Sequence, residues 1–323
     1  MRSFTLAISL GVLVAGATWS ILGAADAIYE WTFDNANLTD ALGHGLMEFA
    51  DGATASLTSF GRTDGGSVPH IGGQSASYMH VPSLTGSANG YLLSFADSGP
   101  NGGGAYINRF TIVMDVLIPG ALDWTALFNT DPANGNDADW YVAPDGSLGI
   151  AELGYSGTNL IASNTWNRLT FAADLGAGTV VFYQNGTAVL TRTGASLLDD
   201  RFSLYSNADP GPDLLLFNEG DTSGVYTHEL YVASVAVVDR TLSIAEVAAL
   251  GGPQAEGIFV QRLAVARNTN DLLLTWNSAP NIRLQKTTTL APADWHDVTD
   301  TLGTNRFTEI APQGNAFYRL LRQ

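Results

Sequence analysis

Cysteine is absent from the 323-residue sequence, so disulfide bonds, thiolate metal sites and cysteine nucleophiles are excluded. Positive charge is scarce: Lys and Arg together number 14 against 31 Asp and Glu, and the formal net charge is −17. This balance argues against a nucleic-acid-binding protein and against docking on an anionic membrane, because both need a basic surface. Charged residues are only 14% and hydrophobic residues 46% of the chain, which excludes a long disordered or coiled-coil protein.

The N-terminus has the composition of a secretory signal peptide. Arg2 precedes an apolar run from Phe4 to Leu22, and Ala25-Asp26-Ala27 resembles a small-residue cleavage site. An uncleaved membrane anchor is the alternative, although Gly and Ser residues dilute the run. We expect residues 1–27 to be removed before Ile28, with no membrane insertion afterwards, and the mature chain to be secreted to an extracellular, cell-surface or periplasmic location.

Alternation of apolar and polar residues along most of the chain predicts β-strands. The clearest strand is Phe110–Ile118, where every second residue is apolar and Pro119-Gly120 ends the run. Asn185-Gly186 joins two further strand candidates with the two-residue turn that is typical of a β-hairpin. Turn residues recur at about the 8–12-residue spacing of an all-β sandwich, and no βαβ rhythm appears. The fold class predicted is therefore an antiparallel two-sheet sandwich.

One short helix is predicted over Ile244–Leu250. Ser243 and Glu246 have the spacing of a capping box at its start. Gly251-Gly252 supplies a left-handed residue at its end, and Pro253 blocks continuation.

The charge balance changes after this helix. Residues 28–257 hold six Arg and 25 acidic residues, whereas residues 258–323 hold six Arg, Lys286 and five acidic residues. Such a change marks a candidate domain boundary. We therefore expect a large domain over residues 28–253, a linker over 254–257 and a small C-terminal β-sandwich domain over 258–323.

Several segments occur in the order that characterises one family. Phe110-Thr111-Ile112 opens a long strand, Trp166 precedes the strand Leu169–Asp174, Phe182–Gly186 forms a hairpin, and Arg240-Thr241-Leu242-Ser243 leads into the closing helix. On these segments, residues 78–252 resemble the concanavalin A-like, laminin G-like (LamG-like) jelly-roll family. The resemblance implies a jelly-roll sandwich that binds its ligand with loops at the rim. Where the family often has Asp-Glu, this chain has Ala233-Ser234, so the polar contacts of that pair do not carry over.

The C-terminal segment resembles a second kind of module. Arg283–Thr287, Trp295 before Asp297-Val298, and Phe317–Leu320 are similar to segments of fibronectin III-like and immunoglobulin-like modules in secreted bacterial proteins. The resemblance implies that residues 258–323 form a small β-sandwich that acts as a spacer or an attachment.

No catalytic motif is found in the sequence. Hydrolases of the concanavalin A-like family carry alternate carboxylates on one strand, whereas here the nearest pattern, Glu219-Gly220-Asp221, falls in a predicted loop. The five histidines have neither a nucleophile-elbow nor a zinc-helix context, and we interpret them as isolated surface or half-buried residues. Enzymatic activity is therefore left uncertain.

Two loops concentrate the oxygen ligands that calcium prefers. Residues 131–139 hold five oxygen-bearing side chains, and residues 207–221 hold a second acidic group. Laminin G-like domains often bind calcium at the rim with Asp from two loops. The resemblance thus implies calcium as a cofactor, with the candidate ligands Asp131, Asp137, Asp139, Asp209 and Asp213. The alternative is that both loops are solvated turns, which use the same residue types.

Four aromatic residues lie around the first acidic loop: Trp124, Trp140, Tyr141 and Tyr155. Sugar rings stack on such side chains, and neighbouring Asp and Asn accept hydrogen bonds from sugar hydroxyls. Core packing is the alternative, because Trp and Tyr are usually largely buried.

The sequence favours a secreted binding module that recognises a glycan or an extracellular protein through rim loops of the sandwich, assisted by calcium. Two alternatives stay open: a glycan-active hydrolase or lyase of the same fold, and a structural or adhesive surface protein. Fold alone does not choose among them, because this sandwich hosts many functions.

Overall fold

The computed structural model describes residues 28–42, 45–83, 86, 89–95, 99–194, 197–204, 213–221, 228–259, 263–268, 271–276, 282–290, 294–302, 304, 306–310 and 316–322. The predicted signal peptide, residues 1–27, lies outside them. No helix in the described part of the chain is long and apolar enough to cross a membrane.

Residues 28–250 form strands and two short helices. In chain order they are β1 (Ile28–Trp31), β2 (Gly45–Phe49), α1 (Gly52–Leu57), β3 (Ser59–Arg62), β4 (Ser77–Val81), β5 (Tyr91–Phe95), β6 (Arg109–Leu117), β7 (Thr125–Asn129), β8 (Asp139–Val142), β9 (Leu148–Ile150), β10 (Gly154–Tyr155), β11 (Asn167–Asp174), β12 (Thr179–Gln184), β13 (Thr187–Thr193), β14 (Leu214–Leu216), β15 (Leu230–Val238) and α2 (Ile244–Leu250). A 3-10 turn lies at Thr63–Gly65.

These strands form two large antiparallel sheets. The first sheet has the order β13-β12-β11-β6-β15-β4-β3, with β1 also paired to β15, and the second has the order β10-β9-β8-β7-β14-β5-β2. Their facing sides share one hydrophobic core whose large side chains include Trp31, Phe95, Trp140 and Phe171. The predicted all-β sandwich is therefore confirmed.

Local sequence signals place the central strands correctly. The predicted strand Phe110–Ile118 is β6, which is buried on both faces from Phe110 to Leu117. The predicted hairpin joins β12 to β13, and Asn185 and Gly186 have φ of 50° and 80°, as this tight turn requires.

The predicted helix α2 is also confirmed with its capping box. The Ser243 Oγ accepts a hydrogen bond from the Glu246 N–H, and the Glu246 carboxylate accepts one from the Ser243 N–H. Burial alone would raise the pKa of Glu246, but hydrogen bonds from Arg240 and Ser243 lower it to about 2. The carboxylate is therefore ionised and holds the start of the helix.

The outer face of the first sheet, on the side away from the common core, is covered by other parts of the chain. Over Val113 and Ala172 lie Val247 and Leu250 of α2, together with Ile258 and Phe259. Nearer β4, Val68, Ile71 and Ala76 pack against Leu117, Trp166 and Ala233, and the Trp166 Nε1–H donates to the Pro69 carbonyl at 2.8 Å. The outward-facing apolar residues of this sheet therefore form two satellite cores.

Residues 263–322 form two small antiparallel sheets. The strands are β16 (Ala264–Asn268), β17 (Asp271–Thr275), β18 (Ile282–Thr287), β19 (His296–Asp297), β20 (Arg306–Glu309) and β21 (Phe317–Arg322), in the orders β16-β17-β20 and β19-β18-β21. Leu274, Trp276 and Leu284 form a core shared by both sheets, and the Lys286 Nζ lies 2.6 Å from the Glu309 carboxylate across them. This arrangement agrees with the predicted small sandwich; the exact domain boundaries stay a prediction.

Candidate functional site

A group of aromatic and acidic side chains lies on the outer face of the second sheet. Cross-strand register pairs Asn129 of β7 with Asp139 of β8, and Tyr141 of β8 with Gly149 of β9, which in turn faces Tyr155 of β10. Side chains alternate between the two faces of a strand. Because Trp140 points into the core, Asp139 and Tyr141 point to the opposite face.

Three of the four predicted aromatic residues meet on this face. The Trp124 ring lies 5.8 Å from the Tyr141 ring and 5.6 Å from the Tyr155 ring, both in edge-to-face geometry. Trp124 and Tyr155 are half-buried, whereas Tyr141 is 9% exposed. Trp140 is 0% exposed and packs against Phe128 and Phe171, so the core-packing alternative applies to it.

Carboxylates adjoin these rings. The Tyr141 hydroxyl donates to Glu219 Oε2 at 3.0 Å, and Asp139 and Asp137 lie beside this pair. Burial, together with the charges of Asp137 and Glu219, raises the pKa of Asp139 to about 8. Burial also raises the pKa of Asp137. A pKa of about 8 favours the protonated form of Asp139 at neutral pH, and among the described residues its buried Oδ1 has no hydrogen-bond partner. We call Trp124, Tyr141, Tyr155, Asp137, Asp139 and Glu219 the aromatic–acid site.

Asparagines fix the loops that contribute to the site. The Asn129 amide donates to Asp137 Oδ2 at 2.8 Å and to the Glu219 carbonyl at 2.6 Å. The Asn134 amide donates to Asp221 Oδ1 at 3.0 Å. These bonds tie the β7–β8 loop to the segment after β14, and they hold Glu219 next to Tyr141.

Sequence reasoning missed Glu219 as a member of this site. The sequence predicts a loop at Glu219-Gly220-Asp221, whereas in the structure the chain turns at Phe217, which has a φ of 60°, and the Glu219 side chain is buried. Glu219 lies 78 positions from Tyr141, its partner. Strand periodicity carries no information about such a distant contact.

The predicted calcium ligands do not all come together in the described residues. Asp131 accepts from the Ala133, Gly135 and Asn136 N–H groups, which shapes its own loop. Asp213 is buried, accepts from the Phe95 N–H at 2.6 Å, and has its pKa raised to about 6 by burial. Asp209 lies outside the described residues. Within the described ranges, no group of three or more His, Asp and Glu side chains could hold a metal ion, and calcium stays a prediction.

The histidines expected to be isolated have polar partners at the four described positions, His70, His80, His228 and His296, and the largest of these groups surrounds His80. On the first sheet, the His80 Nε2 lies 2.9 Å from Glu229 Oε1, and its Nδ1 lies 3.4 Å from Ser59 Oγ. The Tyr231 hydroxyl also donates to Glu229 at 3.3 Å. These residue types occur in hydrolytic triads, but the serine contact is at the long limit for a hydrogen bond and Ser59 is exposed on an edge strand. The group is a cross-strand surface network.

Comparison with known proteins gives similarity of structure only. No family model matches the chain and no curated protein matches it. Domain 4 of AbnA, a GH43 extracellular arabinanase from Geobacillus stearothermophilus solved with arabinotriose, is 16% identical over 68% of this chain and 95% of that one, with a TM-score of 0.42. The CBM40 of the Ruminococcus gnavus IT-sialidase, bound to α2,3 sialyllactose, is 15% identical over 48% and 92%, with a TM-score of 0.36.

A third similar structure is the binding domain of botulinum neurotoxin serotype G. It is 9% identical over 87% of this chain and 80% of that one, with a TM-score of 0.40. At such low identities and TM-scores these likenesses carry no argument about function. Function has to be inferred from the chain's own residues.

Proposed function

We propose that this chain is a secreted binding module that recognises a glycan at the aromatic–acid site. The observation that carries the proposal is the contact of half-buried Trp124 with Tyr141 and Tyr155, directly beside three carboxyl groups on one sheet face. Aromatic faces offer stacking area to sugar rings, and carboxyl oxygens accept hydroxyl hydrogen bonds. The site lies on the face of the second sheet and its adjoining loops, whereas the sequence alone suggested the rim loops.

The ligand that suits this site best is an uncharged glycan. Glu219, Asp137 and Asp139 lie together, and the negative charges of Asp137 and Glu219 contribute to the raised pKa of Asp139. The same negative potential disfavours a sugar carboxylate, because like charges at a partly desolvated site repel each other. Neutral oligosaccharides donate hydroxyl groups without adding charge.

The decisive experiment is a glycan array of neutral, sialylated and uronic-acid-containing oligosaccharides, probed with the mature protein and followed by calorimetry on the hits. We expect binding to neutral members and a loss of about tenfold or more in affinity for Trp124→Ala, which corresponds to about 1.4 kcal/mol. Tyr231→Ala is the matched control, because this half-buried tyrosine forms an edge-to-face pair with Tyr78 on the first sheet. Equal losses in both variants, or no binding to any glycan, would contradict the proposal.

An array without hits would favour an extracellular protein partner or the structural and adhesive alternative. Pull-down with immobilised mature protein would then separate these two outcomes. Secretion itself is proposed from residues 1–27, and an exported chain whose N-terminal residue is Ile28 would support it.

A second candidate function, glycan hydrolysis, is favoured by one observation. The pKa of Asp139, raised to about 8, suits a proton donor at neutral pH, and the Tyr141 beside it donates a hydrogen bond to Glu219. A general acid must be protonated near the working pH, and a second carboxylate is needed as base or nucleophile. Array hits should be assayed for the release of reducing sugar. Release that Asp139→Asn abolishes, while binding is retained, would establish this activity. Binding without release would support the binding module instead.

A further inference from the structure

The segment after helix α2 is fixed to the first sheet at both ends by buried charged groups. It begins at Leu250, the last residue of α2, ends at Phe259 and includes the predicted linker 254–257. Ile258 and Phe259 are buried over the outer face of the sheet. A linker between independent domains is usually exposed and makes few such contacts.

Glu30 of β1 holds the end of the segment. Its carboxylate is 0% exposed and accepts the Ile258 N–H at 2.5 Å with Oε1 and the Phe259 N–H at 2.8 Å with Oε2. A buried carboxylate that loses its donors costs far more than an exposed one. The two N–H groups therefore satisfy the buried Glu30 carboxylate, and this carboxylate in turn fixes Ile258 and Phe259 to the sheet.

Asp115 and Arg168 hold the start of the segment. The Arg168 guanidinium binds Asp115 through two contacts of 2.7 Å, and its Nη1 donates to the Leu250 carbonyl at 2.7 Å. The Gln254 N–H and the Ser234 hydroxyl donate to Asp115 Oδ2 at 3.3 and 3.1 Å. Two backbone groups of the segment, the Leu250 carbonyl and the Gln254 N–H, therefore complete the hydrogen bonding of the buried Asp115–Arg168 ion pair.

Gly257 fits this arrangement and no other residue does so without strain. Its φ is 108°, and a Cβ at this position would lie 2.6 Å from Glu30 Oε1 and 2.9 Å from Thr32 Cγ2. Gly252, in the same segment, has no such restriction: its φ is not in the left-handed region, and the nearest atom to a Cβ there is 3.8 Å away.

We propose that residues 250–259 form an intramolecular clamp, so that the folded unit carrying the aromatic–acid site ends at Phe259 and includes the segment predicted as a linker. Only residues 260–262 separate Phe259 from Leu263, which packs on the core of the small sheets. Four residue steps span at most about 14 Å. The clamp therefore sets where the C-terminal unit starts relative to the binding unit.

The first test compares two glycine variants in the full mature chain. We expect Gly257→Ala to lower the thermal unfolding midpoint by about 2–4 °C or more, the shift that about 1 kcal/mol produces in a unit of 150–250 residues. Gly252→Ala should leave the midpoint unchanged. Two unchanged midpoints would overturn the clamp, since a flexible linker accepts alanine at either position.

Hydrogen exchange provides a second test that does not need Gly257→Ala to fold. In the wild-type chain, the Ile258 and Phe259 amides should exchange as slowly as amides in the centre of β15, because both are bonded inside the fold. Glu30→Gln should speed exchange at these two amides by about tenfold or more, whereas Glu48→Gln, on an exposed residue of β2, should not. Unprotected exchange at both amides in the wild type would overturn the proposal.

Discussion

The outer faces of the two large sheets differ in what covers them, although the strands of both sheets alternate core-facing and outward-facing side chains. On the first sheet, Val113 and Ala172 are covered by α2 and the clamp, and the polar groups beneath are ion-paired. On the second sheet, Tyr141 and Asp139 adjoin Trp124 and Tyr155, which remain half-buried. The comparison teaches that an outward position in a strand becomes core or binding site according to which later segment of the chain covers it.

The largest effect should come from the covered face. Asp115→Ala leaves the Arg168 guanidinium buried without its carboxylate and removes the acceptor of the Gln254 N–H. We expect the free energy of unfolding to fall by about 3–5 kcal/mol, measured by chemical denaturation. Asp64→Ala is the control, because its ion pair with Arg62 is more than half exposed and contributes about 0–1 kcal/mol. A loss as small as that of the control would mean that water reaches the Asp115–Arg168 ion pair and that the clamp does not cover the outer face of the first sheet.

A matched pair of tyrosines compares the two faces directly. Tyr141→Phe removes the donor to the buried Glu219 carboxylate, and a hydrogen bond to a charged group contributes about 1.5–3 kcal/mol. Tyr231→Phe on the first sheet removes a 3.3 Å bond to Glu229, whose side chain is 43% exposed, so we expect a loss below about 1 kcal/mol. Equal losses by chemical denaturation would show that Glu219 is better solvated than its burial indicates.

The sequence predicts the local elements of the fold, but it does not predict the long-range contacts on the outer faces of the two sheets. Strand β6, the Asn185-Gly186 turn and the Ser243 capping box depend on neighbours a few residues apart, and all three were predicted correctly. The roles of Glu219 and Gly257 depend on partners 78 and more than 200 positions away. The residue types around Glu219 and Gly257 are typical of loops and linkers. Their partners Tyr141 and Glu30 come near them only in the folded chain, so the local sequence does not indicate these contacts.

A third prediction concerns the pH dependence of the second face. The pKa of Asp139 is raised from 3.8 to about 8 on folding, so between about pH 4 and pH 8 the folded state binds more protons than the unfolded state. The contribution of this group to the free energy of unfolding should therefore decrease as the pH rises through that range. Denaturation midpoints at pH 5 and pH 8 measure the effect.

Asp139→Asn should flatten this dependence, since asparagine does not titrate. Asp145→Asn is a suitable control, because hydrogen bonds from Ser147 lower the pKa of this exposed aspartate. If the wild type and Asp139→Asn had the same slope between pH 5 and pH 8, Asp139 would be ionised in the folded state, and the hydrolytic candidate would lose its acid.

The smallest expected effect tests whether the acids of the second face serve calcium rather than a sugar. An ion that binds only the folded state raises its stability, and extracellular calcium modules have dissociation constants of about 10⁻⁴–10⁻³ M. If calcium is a cofactor, the unfolding midpoint in millimolar calcium should exceed that in chelator by about 2–4 °C. Asp137→Asn should remove this difference, whereas Glu48→Asn should keep it. Equal midpoints of the wild type in calcium and in chelator would show that calcium is not a cofactor. The carboxyl groups would then remain available as acceptors for sugar hydroxyls.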